Sequence, residues 1–444
     1  MIRRLFFSIF TIGAFLLTGC SDNDSFSTDR HHLLSFPADT LELDTLFSAV
    51  PSSTYTFWVH NYSGDGLRIA QVRLERSGQS GFRVNVDGTF LNPIGTDFEI
   101  RKGDSLRVFV EVTAPENMSA TPQLVEDNLL FTLESGVVQT VNLRTYSWDV
   151  DKRTNLVVTS DMTIEQTKPL VLYGNGIEIA EGATLTIKNT QLFFHQDAGI
   201  KVQGKLVAEN VVFRGDRLDH MFDYLPYDRV PGQWRGITAK AKAAGVSMKD
   251  CDIHSAYHGL HCDSTTVELT NTVIHNHSGY GLYAHDSEVY LTNCQFSNTL
   301  NECLAFLGCQ GTIDHCTIAQ FYPLSADRGY AFRFQHTEKP LYFICTNTVV
   351  TGYSEDVVLG DGREDDVVQY LFENCLLRTP SVTDTDGFKD MIWEKASDDI
   401  QGEKHFKLVD IDNLKYDFTI KEDSPAYQKG MGRRTETDVQ TTDP

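Results

Sequence analysis

The sequence predicts an all-β protein in which an N-terminal immunoglobulin-like β-sandwich is followed by a right-handed parallel β-helix. Two observations support this prediction: apolar and polar residues alternate over residues 37–150, and a short motif recurs at intervals near 22 residues after that. Strands have a side-chain period of two, and a repeat of about 20 to 50 residues indicates a repeat architecture. The chain of 444 residues is long enough for two such domains.

The N-terminus predicts an export signal. Arg3 and Arg4 precede an apolar run, Leu5–Leu17, that is too short for a stable membrane span. The run ends in Leu-Thr-Gly-Cys20, which resembles a bacterial lipobox. This resemblance implies a signal peptide at 1–19 and acylation of Cys20. An ordinary secretory signal with an incidental cysteine is the alternative.

Residues 20–36 are predicted to form a flexible tether. Its first part, Ser21–Asp24, resembles the acidic export signal that sends some Gram-negative lipoproteins to the outer face of the outer membrane. A polar, solvated tether without that signal is the alternative. We therefore expect a lipid-anchored protein of the outer membrane that is exposed on the cell surface. The lipid is its only expected contact with the membrane.

The segment 37–150 has the pattern of a β-sandwich. Turn signals such as Ser63–Gly66 and Arg101–Asp104 separate runs that alternate apolar and polar residues. The clearest runs are Thr54–Val59, Leu67–Val72 and Leu106–Val112. Short alternating strands over about a hundred residues are typical of an immunoglobulin-like module. No catalytic constellation falls in this segment, which is interpreted as a spacer or docking module.

The repeat consists of eight aligned segments of eight residues, such as Val267–Ile274 and Val289–Phe296, and four of the seven intervals are 21 or 22 residues. The fifth positions are Asn189, Asn210, Asp250, Asn271, Asn293, His315, Asn347 and Asn374. Asn tolerates the left-handed conformation that a bend between two short strands needs, and stacked Asn side chains can hydrogen-bond to one another. This pattern predicts a parallel β-helix over 151–415.

The net charge excludes one class of partner, and the repeat register explains the positions of most of the cysteines. The formal net charge is −23, whereas a nucleic-acid-binding protein presents a basic surface, so no nucleic-acid partner is expected. Six cysteines fall on positions predicted to point into the β-helix: Cys251, Cys262, Cys294, Cys316, Cys345 and Cys375. Cys303 and Cys309 fall near predicted turns, and their pairing stays open.

Several motifs carry a resemblance to a known family. They are Leu170–Gly174, Ala183–Ile187, Val202–Leu206, Pro231–Ile237, Tyr416–Ile420 and Ser424–Gly430. Together they resemble bacterial surface lipoproteins of the pectate-lyase-like β-helix superfamily, in which glycine is more frequent at the position of Arg235. The resemblance covers about residues 150–430 and implies a C-terminal cap and tail at 416–444. It implies no single reaction, because the superfamily includes lyases, hydrolases, epimerases and binding proteins.

The repeat register places two rows of outward side chains on neighbouring coils, about 4.8 Å apart. One row is Arg235, His258, Tyr280, Glu302 and Tyr330, and the other is Thr238, His261, Tyr283, Ala305 and Arg333. Imidazole, phenol and carboxylate groups can transfer protons, and the arginines can stabilise a developing anion. The candidate catalytic residues are His258, His261, Tyr280, Tyr283 and Glu302. The candidate ligand-binding residues of the rows are Arg235, Tyr330 and Arg333.

Two insertions are predicted at the same corner of the coil, one at Arg214–Arg235 and one between Ile318 and Phe332. Long loops on a rigid scaffold commonly carry function, and we expect these two to wall the rows into a cleft. The first insertion adds Tyr224, Tyr227 and Trp234 to the candidate ligand-binding residues, because flat aromatic rings stack well on sugar rings.

The favoured interpretation is a surface protein that binds a polysaccharide or other glycan along one face of the β-helix. One alternative is an enzyme, either a polysaccharide lyase or a glycoside hydrolase, the latter needing two facing carboxylates. The row offers Glu302, with Asp286 one turn away. A second alternative is a structural or adhesion protein with no small ligand. The sequence does not decide among them, nor does it predict an oligomeric state.

No metal ion or cofactor is predicted. His254 and His275 share a register position but lack a compelling third ligand, so they are interpreted as a solvated pair on the surface. An acidic cluster in a glycine-rich loop resembles a site for a hard cation, although a charged exposed turn is the preferred interpretation. That cluster consists of Asp361, Glu364, Asp365 and Asp366.

Overall fold

The computed structural model describes residues 25–240, 244–382 and 386–434. It divides into two compact units: the first ends at Ser147, and the second begins at Trp148 and also includes Met118–Thr121. The predicted signal peptide and Cys20 lie outside the described residues. Within the described ranges, no helix is both long enough and apolar enough to span a bilayer.

The first unit consists of two β-sheets around one core. Its six-stranded sheet contains Thr40–Glu42, Leu46–Phe47, Leu67–Leu74, Ile94–Ile100, Gln123–Leu133 and Val138–Trp148. Its four-stranded sheet contains Tyr55–His60, Phe82–Val86, Thr89–Phe90 and Ser105–Val112. Alternating residues of both sheets, such as Val59 and Phe131, meet in a single hydrophobic cluster. The unit is a β-sandwich, and its immunoglobulin-like relationship stays a prediction.

Part of the predicted tether packs against the first unit. The ring of Phe26 lies 4.3 Å from the guanidinium carbon of Arg68. Leu34 is buried, and its backbone N–H donates to the side chain of Gln139 over 2.8 Å. The amide of Gln139 in turn donates to the carbonyl of Leu34 over 2.9 Å. Residues 25–36 therefore form a packed edge rather than the free arm that their polar composition suggested.

The second unit is a parallel β-helix, which confirms the predicted fold class. Its strands stack on three sides, named here faces A, B and C. Face A contains Met162–Glu165, Gly245–Lys249, Thr266–Thr270, Glu288–Thr292, Gln310–Asp314, Leu341–Thr346, Val368–Glu373 and Phe388–Lys389. Face B contains Asp252–His254, Val273–His277, Gln295–Thr299, Thr317–Gln320, Val349–Gly352, Leu376–Leu377 and Ile392–Trp393. Face C contains Gly199–Val202, Ile237–Lys240, Leu260–Asp263, Leu282–His285, Leu304–Leu307, Phe332–Gln335 and Val358–Gly360.

Four longer strands near the start of the β-helix turn a corner between two faces. Thr184–Phe194 and Lys205–Gly215 run from face A to face B, and Asp151–Val158 and Leu170–Ile179 run from face B to face C. In the first pair the corner is the predicted Asn bend, where the backbone changes direction without leaving the hydrogen-bonded ladder.

The predicted bend between faces A and B is confirmed in all eight coils. Every fifth-position residue, including the exceptions Asp250 and His315, has a φ between 49° and 54°. The predicted side-chain ladder is also present: Asn271 donates to Asp250 over 2.9 Å, and Asn293 donates to Asn271 over 2.8 Å. The left-handed bend and the ladder together explain why Asn recurs at this position.

The interior of the β-helix contains the predicted cysteines. All six thiols expected to point inward are buried, and so are Cys303 and Cys309 near the turns. The eight described cysteines are unpaired thiols, so Cys303 and Cys309 do not form a disulfide. Burial raises the pKa of the Cys251 thiol to about 11, which keeps it protonated and inert. These residues act as small apolar packing groups.

A C-terminal segment covers part of face B. It contains the 3₁₀ turn Gly402–His405, the antiparallel strands Phe406–Asp410 and Lys415–Ile420, and the short helix Pro425–Gln428. Phe406 and Phe418 pack against Phe321 of the second insertion, with ring centroids 6.1 and 5.9 Å away. The last stacked strand ends at Trp393, so the covering segment begins before the predicted cap at 416–444.

A buried ionic cluster fastens this segment to the β-helix. Glu394 accepts hydrogen bonds from Arg378 and from Thr351, the latter over 2.9 Å. His405 lies 3.0 Å from the same carboxylate and 2.8 Å from the hydroxyl of Ser424. Because every group in it is paired, the cluster holds the covering segment in one position.

Candidate functional site

The two predicted rows run side by side along face C. Backbone pairing puts Thr238, His261, Tyr283, Ala305 and Arg333 at one register position. The other row lies at the corner before each strand, where the N–H of Gly259 donates to the carbonyl of Tyr280 and the N–H of Gly281 to that of Glu302. The predicted stacking of both rows is therefore confirmed, and the rows together are called the face C stripe.

The coils approach closely at this corner, and three of them have glycine there, at Gly236, Gly259 and Gly281. Cys303 and Ala331 hold the same position on the next two coils. Gly236 has a φ of 90°, and a Cβ there would lie 1.6 Å from the carbonyl oxygen of His258. Because the coils pass this closely, the row residue two positions before each face C strand is brought next to its counterpart on the adjacent coil. The backbone at this corner therefore determines how close together the side chains of the stripe lie.

Four rings form a continuous surface at the centre of the stripe. The ring centroids of His258 and Tyr280 are 5.5 Å apart, and those of His261 and Tyr283 are 4.6 Å apart. Across the two rows, His258 lies 5.3 Å from His261 and Tyr280 lies 4.9 Å from Tyr283. Such distances and tilted ring planes are favourable for aromatic contacts, so each ring is held by two others.

The imidazoles of the stripe are uncharged at neutral pH. Burial and the nearby Lys240 lower the pKa of His258, and the same causes together with His258 lower the pKa of His261 to about 4. Burial also raises the pKa of the Tyr280 and Tyr283 phenols, which stay protonated. Nδ1 of His258 accepts the backbone N–H of Tyr280 over 3.1 Å, which leaves its Nε2–H as a donor. Neutral His261 offers one ring nitrogen as a donor and one as an acceptor, beside the two phenol hydroxyls.

Charged groups flank the four rings. Nη1 of Arg333 lies 3.7 Å from Oε1 of Glu302, whose side chain is only 10% exposed, so this carboxylate is mostly covered rather than presented to solvent as predicted. Arg235, at the N-terminal end, is exposed and lies 3.5 Å from Asp197. Tyr330 is partly exposed at the other end. Each end of the stripe thus presents an arginine that is paired with a carboxylate.

A shallow cleft of about 390 Å³ adjoins the N-terminal end of the stripe on face C. Arg235, Thr238 and Lys240 line it together with Lys201 and Glu178, which are ion-paired over 2.8 Å. The cleft continues the line of the stripe onto earlier coils. It gives an extended ligand room beyond the four rings.

The prediction that Trp234 contacts a ligand is wrong. Trp234 is 1% exposed, its ring stacks on Phe194 at 4.3 Å, and its Nε1–H donates to the carbonyl of His254 over 2.8 Å. It belongs to the core because the chain rejoins the coil at this residue, where it bridges to Ala256. The buried Trp234 ring anchors the end of the insertion to the core.

The two tyrosines of the first insertion make their contacts within it. This loop contains the strands His220–Phe222 and Leu225–Pro226 and the 3₁₀ turn Tyr227–Arg229. The guanidinium of Arg217 lies 3.9 Å from the ring of Tyr227, and the exposed ring of Tyr224 stacks on Phe222 at 5.8 Å.

The insertions border a cleft, but not the predicted one. Residues 228–229 of the first insertion, residues 323–324 of the second and the C-terminal hairpin enclose about 450 Å³ over face B. Its floor includes Asp252, His275 and Gln295, whereas His258 and Tyr280 lie around the corner on face C. The expectation that the loops wall the stripe is therefore wrong, because contacts of the first insertion draw it over face B.

A cluster of carboxylates and imidazoles lies at the edge of this face B cleft. The ring of His254 is 2.6 Å from Asp252 through Nδ1 and 2.9 Å from Asp228 through Nε2, and Arg214 contacts Asp228 at 2.9 Å. Burial alone would lower the pKa of His254, but the two carboxylates raise it to about 9. The interpretation of His254 as a solvated surface residue is wrong, since it is buried beneath the first insertion.

The glycine-rich acidic loop has a simpler structure. Asp361 accepts a hydrogen bond from the backbone N–H of His336 over 2.9 Å and lies 2.6 Å from its ring. Glu364 starts a tight turn whose backbone is bridged to Val368. These contacts agree with the preferred interpretation of the loop as a charged turn.

The fold and this site define the second unit as a parallel β-helix with an outward stripe of aromatic and ionisable side chains. Residues 235–350 match the family model described as "Right handed beta helix region". No curated protein matches the chain. The matched segment contains all ten residues of the face C stripe.

Solved structures provide distant similarities. A family 28 exopolygalacturonase from Yersinia enterocolitica matches at 7% identity over 81% of this chain and 86% of its own, with a TM-score of 0.16. An α-1,3-glucanase from Streptomyces thermodiastaticus matches at 9% identity over 77% of this chain and 89% of its own, with a TM-score of 0.17. A family 123 glycoside hydrolase from Clostridium perfringens matches at 9% identity over 27% of this chain, with a TM-score of 0.18, and the match spans only 25% of that enzyme. At these TM-scores the matches carry no argument about activity.

Proposed function

We propose that the second unit binds a carbohydrate along the face C stripe. The observation that supports this most directly is the continuous surface of four rings, His258, His261, Tyr280 and Tyr283, with centroids 4.6 to 5.5 Å apart. Aromatic faces pack against the C–H faces of sugar rings, while phenol and neutral imidazole groups exchange hydrogen bonds with sugar hydroxyls.

The charges around the stripe favour a glycan with acidic groups. The whole chain carries a net charge of −23 and repels polyanions in general. Arg235 and Lys240 lie at one end of the stripe and Arg333 at the other. A carboxylated or sulfated chain laid along face C would place its anionic groups near these cations, of which Arg235 and Arg333 are already paired with Asp197 and Glu302, and its sugar rings on the aromatic surface between them.

The N-terminal sequence adds a proposal about location. With Cys20 acylated, the protein would be held at the outer membrane by lipid alone, and the β-helix would face outward to meet surface or environmental glycans. Labelling with radioactive palmitate tests acylation of Cys20, with Cys20→Ser as the variant expected to lose the label. Protease accessibility in intact cells tests exposure.

A second candidate function is that of a polysaccharide lyase. It is favoured by one observation, the row that places the His261 ring 4.6 Å from the Tyr283 ring and puts Arg333 at the same register position two coils beyond Tyr283. In such a reaction His261 would take the proton next to a sugar carboxylate, Arg333 would stabilise the resulting anion, and the leaving oxygen would be protonated by a phenol.

One experiment separates these functions. The chain starting at residue 20, with Cys20→Ser, is tested against a panel of acidic and neutral polysaccharides for retention and for new unsaturated ends. Binding predicts retention that falls at least tenfold in Tyr283→Ala but not in Tyr290→Ala, a matched exposed tyrosine on face A. Unsaturated ends that disappear in His261→Gln would support the lyase. Retention that is equal in all variants would contradict both and favour a structural or adhesion role.

A further inference from the structure

The face B cleft contains an arrangement that the carbohydrate proposal does not use. Asp252 and His254 are two residues apart on one strand, so their side chains leave the sheet on the same side. His275 has the register position of His254 on the next coil. One potential ligand atom from each of Asp252, His254 and His275 lies within 4.8 Å of the other two.

Contacts from the first insertion to Nε2 of His254 orient its ring. Oδ1 of Asp228 lies 2.9 Å from Nε2 of His254 and is itself contacted by Arg214 at 2.9 Å. The hydroxyl of Ser255 donates to the carbonyl of Asp228 over 2.7 Å, which fixes the loop that carries the carboxylate. When the Nε2–H of an imidazole donates to a carboxylate in this way, its Nδ1 lone pair points to the opposite side.

That lone pair points at another acceptor. Nδ1 of His254 is 2.6 Å from Oδ1 of Asp252, and Nε2 of His275 is 3.3 Å from the same oxygen. A neutral imidazole has one N–H, so His254 can donate to only one of Asp228 and Asp252, and its short contact with the other carboxylate requires a second cation on the ring. The cation is either a proton on His254 or a metal ion shared by all three groups.

We propose that Asp252, His254 and His275 bind a divalent transition-metal ion of the Zn²⁺ class. Two imidazoles and one carboxylate form a ligand set suited to zinc, and the carboxylate behind His254 supplies the outer hydrogen bond that such a ligand requires. The His275–Asp252 contact has nearly the spacing of about 3.4 Å between ligands of a tetrahedral zinc ion, and the His254–Asp252 contact would widen to it.

The position of the cluster leaves one coordination site open. Asp252 and His275 line the face B cleft, while His254 is covered by the first insertion. The metal would be held from the covered side, and its fourth position would face about 450 Å³ of accessible space bordered by Arg229 and Lys415. A water molecule or a ligand oxygen would complete the coordination.

Zinc binding by the chelator-treated chain, starting at residue 20 with Cys20→Ser, tests this inference. Zn²⁺ is titrated in competition with a chromophoric chelator, and about one ion per chain is expected. His275→Ala should weaken the affinity at least 100-fold, and Asp228→Asn, which removes only the outer carboxylate contact, by about 10- to 100-fold. His336→Ala is the matched control, because His336 also lies 2.6 Å from an aspartate but is not part of the cluster of three.

Co²⁺ uptake provides a second readout that needs no variant. Co²⁺ bound by the intact cluster should give visible absorption bands of the intensity typical of four-coordinate sites, and Zn²⁺ should abolish them. Folded protein that takes up no Zn²⁺ would show that the cation is a proton only and would overturn the inference. Equal affinity in His275→Ala and the parent chain would do the same. Neither outcome bears on the carbohydrate proposal, because the stripe lies on face C.

Discussion

Arg333 and Glu302 form an ion pair across neighbouring coils, with Nη1 of the arginine 3.7 Å from Oε1 of the glutamate. Their exposures differ: the Glu302 side chain is 10% exposed and the Arg333 side chain 34% exposed. The Glu302 carboxylate therefore needs the charge of Arg333 more than the reverse, because a covered charge without a counter-ion destabilises the folded state.

Replacing Arg333 by Gln should lower the free energy of unfolding by about 1–2 kcal/mol, a value reduced from that of a fully buried pair because the arginine is partly solvated. Urea unfolding at neutral pH measures the change. Arg235→Gln is the matched control: its pair with Asp197 is exposed on both sides, so little change is expected. Equal losses in the two variants would contradict a special role for the Arg333–Glu302 pair.

His261 should make stability depend on pH. Its pKa falls from 6.5 to about 4 in the folded chain because burial and Lys240 disfavour the charged form. Between these two values the unfolded chain binds more protons, so the native state loses stability as the pH falls from about 6.5 towards 4. The difference in urea midpoint between the parent chain and His261→Gln should change in that window and level off above it. A difference independent of pH would refute the assigned shift.

Trp234 should contribute to stability rather than to ligand affinity. Its ring fills the core against Phe194, so Trp234→Ala should cost about 3–5 kcal/mol, and Trp234→Phe should recover part of that loss by keeping the stacked ring. Thermal unfolding measures both variants. Glycan affinity of folded Trp234→Phe should match that of the parent chain. A tenfold loss of affinity with unchanged stability would restore Trp234 to the binding site.

The sequence predicted the face C stripe well because the determinants of a coil are local. The Asn bends fix the phase of the strands on either side, so counting ten residues back from Asn271 and from Asn293 is enough to align His261 with Tyr283. The same counting predicts which cysteines point inward. Residue types and spacing within about 22 residues contain all the information that this part of the structure requires.

The face B cleft could not be predicted from the repeat, because its walls come from parts of the chain that are distant in sequence. Arg229 of the first insertion donates to the carbonyl of Asn413 over 3.0 Å, across 184 residues of sequence. Neither residue belongs to the repeat, so no period relates them. A signal for the cluster itself was nevertheless present: Asp252 and His254 are spaced for one side of a strand, and His275 follows one coil later. The carboxylate two residues before His254 was the third ligand that sequence reasoning missed.

The Asn ladder provides the last prediction, which separates backbone strain from hydrogen bonding. Asn271 has a φ of 51° and bonds to Asp250 and Asn293 through its side chain. Asn271→Ala loses both bonds and puts a Cβ-bearing residue without local polar support in the left-handed region, at a cost of about 2 kcal/mol. Asn271→Gly loses the same bonds without that strain and should cost about 1 kcal/mol. Urea unfolding gives both values. If the glycine variant were the less stable of the two, backbone strain would not explain the choice of Asn, and the side-chain ladder alone would have to.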